Sequence, residues 1–341
     1  MTLRELLRCA GPNQLAFAFF YGSVIRPFYR LSFLAAAVSC GLLVVLREQP
    51  HTLKALEDRF VKDQKGADAF RAWLDVGIGL KVIRKTRHGF RLRGLLSRIL
   101  AAPRFDPLAA FLCEANTLQH AAITEAPRRI AARDYYALSE HDGEVTARTS
   151  RMMEPVIFSV LDRCAPRKGD LKLLDVGCGA GSYLVYVAKR NPQAVAHGVE
   201  LQDDVAALAR ERVRAEGLEK RVTIVVSDIR HYRSAERYDL ITLHNNLYYF
   251  GVGDRCEVLR ELYALLRPGG RLVITTECTG GTLAAQMEGL WAALTEGCGR
   301  YWSVGEHVAA FEQAGFVEVV AKRVVVADAF YSFEGRSRSD T

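Results

Sequence analysis

The eight cysteines of this chain, at 9, 40, 113, 164, 178, 256, 278 and 298, form no CxxC pair. Closely spaced thiolates are what a structural zinc ion or a compact disulfide framework needs, so neither a metal site nor a disulfide scaffold is expected. The thiols read instead as small buried side chains in a reducing compartment. Long apolar runs are also scarce. The longest, Leu31 to Leu46, includes Ser32, Ser39, Cys40 and Gly41 and falls short of the roughly 20 residues a membrane-spanning helix requires. It is expected to be a buried core helix. The opening MTLRELLRCAGPNQ carries Glu5 and lacks the charged-then-apolar layout of a signal peptide. No transmembrane segment and a cytoplasmic location are therefore expected.

Acid is missing from one stretch. Between Asp75 and Asp106 stand Lys81, Arg84, Lys85, Arg87, Arg91, Arg93, Arg98 and Arg104, with no Asp or Glu among them. The imbalance belongs to the first half. Residues 1–165 hold 24 Lys+Arg against 16 Asp+Glu, whereas residues 166–341 hold 22 against 23. Such a patch suits nucleic acid, an anionic lipid surface, an anionic substrate or simply solvent. With half of its 341 residues hydrophobic and a quarter charged, the chain is long enough for two folded domains.

Residues 13–34 concentrate Phe17, Phe19, Phe20, Tyr21, Phe28, Tyr29 and Phe33 at helical spacing, with a break expected near Pro27. They suit core or dimer packing, or the wall of an apolar pocket. Helices are expected at Leu31–Arg47, at Leu53–Phe60 behind the cap Thr52, and at roughly Ala67–Leu80. Two short strands follow, around the turn Thr86-Arg87-His88. Three helices and a basic hairpin make a winged helix. Its helices are poor in base-reading side chains, and its cations lie in the wing, where only phosphate contact is expected. Residues 94–168 read as mainly helical.

From residue 171 the pattern alternates. Strands are expected at 171–176, 194–200, 221–227, 238–244, 271–277 and 316–326, with helices at 181–190, 203–216, 254–266 and 304–313. Such alternation argues for an α/β, doubly wound, largely parallel sheet with ligands at the carboxyl ends of its strands. Four strand ends stand out. Asp175-Val176-Gly177-Cys178-Gly179-Ala180-Gly181 offers a turn of bare backbone opening a helix, a place where an anion is welcome. Glu200, followed by Leu201, lies at the spacing at which an acid meets ribose hydroxyls. Asp228 with Ile229 ends the third strand, and His244-Asn245-Asn246-Leu247-Tyr248-Tyr249-Phe250 follows the fourth. The third glycine is at 181 and position 182 is serine, so the dinucleotide pattern GxGxxG is not met. The acids Asp175, Glu200 and Asp228 suit a nucleoside with a cationic centre and no phosphate. S-adenosylmethionine is such a molecule. Its ribose would meet Glu200, its adenine amine Asp228, and its carboxylate the N–H groups near Gly181.

On these motifs, and on Leu266-Arg267-Pro268-Gly269-Gly270-Arg271-Leu272 before the fifth strand, residues 171–326 resemble a class I S-adenosylmethionine-dependent methyltransferase. With the winged helix ahead of it, the chain resembles the small-molecule O-methyltransferases of natural-product biosynthesis over about residues 31–326. The resemblance implies a Rossmann-like sheet behind a mainly helical dimerisation domain. The expected divisions are 1–105, a connector 106–168 that helps form the substrate pocket, a catalytic domain 169–330 and a polar tail 331–341. It implies a homodimer, a small aromatic or lipophilic substrate, and Asp175, Gly177, Gly179, Gly181, Glu200, Leu201, Asp228, Ile229, His244 and Met153 around the cofactor.

One departure stands out. The family's general-base histidine aligns near Tyr248, Tyr249 and Phe250, where this chain has none. A phenol with a pKa near 10 is a poor base at neutral pH. Three readings stay open: His244 or His141 takes the proton; the substrate is an amine or activated carbon needing little base; or Asn245, Tyr248 and Tyr249 act by positioning alone. Two rival functions are kept. One is a nucleic-acid methyltransferase docking through the wing, which lacks the Asn/Asp-Pro-Pro-Tyr/Phe signature. The other is a member that uses the cofactor for non-methylating chemistry such as ring closure.

Overall fold

The computed structural model describes residues 12–140 and 142–339. They fall into two compact units, which meet in sequence between Thr117 and Leu118.

The first unit opens with α1 (Pro12–Phe20), a π-helical turn at Tyr21–Ile25 and α2 (Arg26–Ser39). The expected break near Pro27 appears as the π turn, which ends at Ile25, two residues before Pro27 in the first turn of α2. The helix expected to run from Leu31 to Arg47 is two helices. Gly41 has φ +78°, and α3 (Leu42–Glu48) leaves at 78° to the helix before it. Phe33, Leu34, Ala37, Leu42, Leu43 and Leu46 are nevertheless buried, as a core segment should be. α4 (Leu53–Phe60) is capped by Thr52, whose hydroxyl accepts from Ala55 N. α5 (Gln64–Gly79) starts three residues before the expected Ala67 and is capped by Asp63. β1 (Ile83–Thr86) and β2 (Gly89–Leu92) form the hairpin, and α6 (Leu95–Leu100) and α7 (Asp106–Glu114) complete the unit. No single helix among the described residues is long and apolar enough to cross a membrane; only the bent pair at Asn13–Ser39 and Leu42–Glu48 passes on length and composition.

The second unit begins with helices α8 (His120–Ala132), α9 (Gly143–Thr149) and α10 (Glu154–Cys164). The alternating region follows: β3 (Leu171–Val176), α11 (Ser182–Arg190), β4 (Ala194–Glu200), α12 (Asp203–Ala215), β5 (Val222–Val226) and β6 (Tyr238–His244). It ends with α13 (Arg255–Leu265), β7 (Leu266–Glu277), α14 (Leu283–Ala293), α15 (Val304–Gln313), β8 (Val317–Arg323) and β9 (Phe330–Arg336). The seven strands lie in the order β5-β4-β3-β6-β7-β9-β8. Pairings from β5 to β7 are parallel, and β9 is antiparallel to both neighbours.

The expected polar tail at 331–341 is therefore corrected. Its first six residues belong to a strand inside the sheet, with Phe330 and Phe333 almost wholly buried. The strand carries Ser332, Glu334 and Arg336, and its Glu334 is paired across the ladder with Arg271, at 3.1 Å.

Two apolar layers sandwich the sheet. Leu174, Val176, Ile241, Leu243, Leu272 and Ile274 face α13 and α15 through Leu259, Leu262 and Phe311. Leu171, Leu173, Leu240 and Val273 face α10, α11 and α12 through Ile157, Leu184 and Ala209. A third, smaller cluster joins α8, α14 and the turn after β6 through Ala122, Trp291 and Tyr248.

Candidate active site

Side chains alternate between the two faces of a strand, so the second apolar layer predicts what stands above it. Beyond Leu173, Leu240 and Val273, the same face continues with Asp175 on β3, Thr242 and His244 on β6, and Thr275 and Glu277 on β7. Register confirms the neighbours: Asp175 is paired with Thr242, and His244 with Thr275. The face thus turns from apolar to polar at the carboxyl ends of three adjacent parallel strands.

This polar row is incompletely satisfied. Thr242 Oγ1 donates to Asp175 Oδ1 at 2.7 Å, but Asp175 Oδ2 is buried without a partner. Burial, helped by the charge of Glu200, pushes the Asp175 carboxyl up to about 7 against the hydrogen bond from Thr242. His244 Nδ1 lies 2.9 Å from Thr275 Oγ1, while its Nε2 is buried and unpaired. Its ring meets Tyr183 edge to face at 4.8 Å, and burial lowers its pKa to about 3. Glu277 Oε2 is a third buried atom with no partner. Unsatisfied buried groups are costly and rare, and a cluster of them marks a place built for something else to bind.

The glycine turn lies beside the row. Gly177, Gly179 and Gly181 have φ of +64°, +53° and +76°, a region that side chains with a Cβ rarely enter. At Gly177 a Cβ would also stand 2.0 Å from the amide nitrogen of Asn246, and at Gly181 3.2 Å from Ala209 on α12. The turn is pinned to β4 by Gly177 N and Cys178 N, which both donate to Val199 O. Gly181 is the residue before α11, whose first N–H groups are free of intrahelical partners.

Glu200 is one of the expected cofactor residues that the fold places beside this turn. Its Oε2 accepts from Gly179 N at 2.9 Å, and its Oε1 from Leu201 N at 2.9 Å and Gln202 N at 3.1 Å. Leu201 itself is half exposed. α9 packs close by: a Cβ on Gly143 would stand 2.4 Å from Gln202 Oε1. Met153, half-buried at the entrance to α10, packs against the second apolar layer.

Asp228 stands differently from expectation. Arg230 grips both of its oxygens at 2.6 to 3.1 Å, and that hydrogen bonding holds its carboxyl below the usual range. An adenine amine would have to displace or share that cation. Ile229, beside it, is buried. Past β6, Asn245 takes φ +50° while its N donates to Thr275 O at 2.6 Å, and its Oδ1 is buried without a partner. His141 lies outside the described residues.

Tyr248 and Tyr249 stack at 4.7 Å in a short 3-10 turn. Tyr248 is buried and donates to Glu288 Oε1 at 2.6 Å. Burial and the Glu288 charge raise its phenol well above the ordinary value, so it is a still weaker base than its residue type suggests. The loop is braced by Arg255, a buried guanidinium whose Nε donates to Phe250 O at 2.9 Å and Nη2 to Gly299 O at 2.8 Å. It lies over the Trp302 ring, 4.8 Å from its centroid.

Sequence reasoning missed Glu277 and Glu288. The rule that directs attention to carboxyl ends of strands applies equally to the fifth strand of the alternating region, and Thr275-Thr276-Glu277 was the available signal. Glu288 had none, since its helix carries no polar-apolar period.

Is the cofactor of the resemblance chemically suited to these residues? S-adenosylmethionine carries an ammonium, a carboxylate, a sulfonium and a ribose diol. Asp175 Oδ2, buried and unpaired beside Glu200, is an acceptor with a place for a cation. The α11 terminus provides N–H groups for an anion, and Glu200 provides acceptors for hydroxyls. The residues fit. An order of parallel strands closed by one antiparallel strand, the glycine turn and Glu200 at the end of β4 are the arrangement expected of a class I, S-adenosylmethionine-dependent methyltransferase domain.

Comparison with known proteins places the domain more closely. Residues 173–270 match the family model for a methyltransferase domain. Methyltransferase GfsG of Streptomyces halstedii is 38% identical over 113 residues, or 33% of this chain and 40% of that protein. Carboxy-S-adenosyl-L-methionine synthase of Chromohalobacter salexigens is 36% identical over 121 residues, covering 34% and 43% respectively. The chain thus spans less than half the length of these curated relatives. The fold is shared more widely. Mitomycin 7-O-methyltransferase MmcR matches with a TM-score of 0.75 at 19% identity, over 95% of this chain and 99% of that one. Human N-acetylserotonin methyltransferase, solved with S-adenosylmethionine, matches at 0.70 and 16% identity over 97% and 99%.

Proposed function

We propose that this protein methylates a small aromatic or lipophilic metabolite with S-adenosylmethionine. The observation that carries this reading is the polar row at the carboxyl ends of β3, β6 and β7, whose buried unpaired atoms adjoin the glycine turn. When bound, the cofactor supplies a methyl group already activated by a sulfonium. Asp175 would take the ammonium, the turn at Gly179–Gly181 the carboxylate, and Glu200 the ribose hydroxyls. Leu201, Ile229 and Met153 would supply apolar contact, and Asp228 would release Arg230 to reach the adenine amine. Tyr248, Tyr249 and Asn245 would orient the acceptor, since alignment alone supplies much of the acceleration for an activated methyl group. His244 suits a neutral hydrogen-bonding role better than that of base, because burial disfavours its protonated form.

The domain match and the shared fold support methyl transfer over ring closure or nucleic-acid docking. The relatives named for small-molecule substrates lend support to that substrate class. We also read the protein as a cytoplasmic homodimer. Family resemblance and the exposed Phe17, Phe19, Phe28 and Tyr29 of α1 and α2 support the dimer. The free cysteines among the described residues support a reducing compartment. The test is incubation with methyl-labelled cofactor and a panel of phenols and amines, with products read by mass. Label found only in nucleic acid, or cofactor consumed without label transfer, would refute the reading.

A further inference from the structure

Glu277 ends β7 two residues beyond Thr275, so it stands on the same face as the His244–Thr275 pair, about 7 Å further along. Three side chains surround it. Asp328, in the turn before β9, has its Oδ1 engaged by Thr282 N and Ala329 N and its Oδ2 by Thr282 Oγ1. Glu288, on α14, is engaged by Tyr248. The Tyr301 hydroxyl is buried without a hydrogen-bond partner on a residue only 7% exposed, and it feels the charges of both Glu288 and Glu277. The adjacent Cys278 is buried, with a thiol pushed up to about 12. Two buried hydrogen-bonding atoms of this region, Glu277 Oε2 and Tyr301 Oη, are thus without a hydrogen-bond partner, and aromatic rings stand nearby. Tyr249 meets Trp291 edge to face at 5.9 Å, and Tyr248 meets Tyr301 at 5.3 Å. A planar ring bearing a hydroxyl satisfies that environment.

We propose that Glu277 is the general base of the reaction and that the acceptor is an aromatic hydroxyl. The inference rests on the methyltransferase reading above. As the acceptor oxygen forms its bond to the methyl carbon, its O–H bond breaks. The pair of that bond returns to the oxygen, and the proton passes to Glu277 Oε2, giving a neutral acid that later returns the proton to water. Tyr301 donates to the acceptor oxygen, and the Tyr248–Glu288 pair holds the ring wall.

Chemistry favours this carboxyl over its rivals. Burial, with Asp328 and Glu288 adding to it, pushes Glu277 up to about 8, within about two units of a phenol. A base works best when its pKa lies near the operating pH. His244 lies several units lower, and Tyr248 lies above the phenol it would have to deprotonate. Burial, which makes the Glu277 carboxylate costly, also makes it hold a proton well.

The experiment uses the full chain and its Glu277→Gln and Glu277→Asp variants, with S-adenosylhomocysteine for binding, labelled S-adenosylmethionine and simple phenols for transfer, and infrared titration of the carboxyl groups. Wild type should show a carboxylic-acid band titrating near pH 8 that Glu277→Gln lacks, and kcat/KM should rise about tenfold per pH unit up to that point. Glu277→Gln should bind S-adenosylhomocysteine within about twofold of wild type, lose about 100-fold or more in transfer and lose the pH step, with Glu277→Asp recovering part of it. A wild type that binds S-adenosylhomocysteine but shows no such band, or a Glu277→Gln variant that keeps its rate or its pH step, overturns this proposal alone. A wild type that binds no S-adenosylhomocysteine overturns the methyltransferase reading as well.

Discussion

Replacing Asp175 by Asn should change stability with opposite signs at low and high pH. The buried carboxyl is pushed up to about 7 in the folded protein, against about 3.9 for a free aspartate. The folded state therefore holds this proton longer than the unfolded state, and stability falls as pH rises from about 4 to about 7. Three units at 1.36 kcal/mol each make that loss about 4 kcal/mol. Asn is never charged, so the variant escapes it. The amide keeps the bond from Thr242 through its oxygen, but its NH2 takes the place of the unpaired Oδ2, and an unsatisfied buried donor costs about 1–3 kcal/mol. At pH 8 Asp175→Asn should be more stable than wild type by about 1–3 kcal/mol. At pH 4.5, where the native carboxyl is protonated but a free aspartate is mostly ionised, about 1 kcal/mol of that loss has already accrued, so the variant should be less stable by up to about 2 kcal/mol. Denaturant melts at the two pH values measure this without any ligand. A stability difference that does not change with pH would refute the buried, unpaired carboxylate. The variant should also lose affinity for S-adenosylmethionine, which would make this residue costly to the fold and useful to the site.

Four further outcomes follow from the same structure. Gly181→Ala should cost about 1–2 kcal/mol, since φ +76° and the 3.2 Å approach of Ala209 oppose a Cβ, and cofactor titration should show weakened binding in a folded protein. Arg255→Met should lower Tm by several degrees, because Phe250 O and Gly299 O lose a buried donor. Phe333→Ala should cost about 3–5 kcal/mol, read by chemical denaturation; a neutral result would return residues 331–336 to a tail. His244→Asn should leave no step near pH 6–7 to lose, because the native ring stays neutral there; a wild-type rate profile that loses a step at that pH in the variant would contradict its burial.

The alternating half of the fold was legible because its strands are apolar runs with a charged or polar residue at or next to their end. β3, β4 and β6 begin and end where the residue pattern puts them. The pattern failed where tertiary pairing replaces local hydrophobicity. β9 carries Ser332, Glu334 and Arg336 yet lies between two strands, its charge balanced by Arg271. α14 is apolar nearly all round, so LAAQMEGLWAA gives no face to detect. The glycine turn and the acids at the strand ends were readable because their geometry is local. The aromatic cluster after β6 was not. Tyr248, Glu288 and Tyr301 come from three separate segments, and only the packing of α14 against the turn after β6 brings them together.

The proposed methyl transfer requires the unsatisfied row beside the glycine turn to bind S-adenosylmethionine. Isothermal titration of the full chain with this cofactor, in buffers of different ionisation enthalpy, tests it most directly. Binding should be saturable and one-to-one, with a proton released near pH 6, as the ammonium drives Asp175 to ionise, and little proton release at pH 9. Absence of binding to folded protein would contradict the claim, and binding without proton release at pH 6 would contradict the part assigned to Asp175.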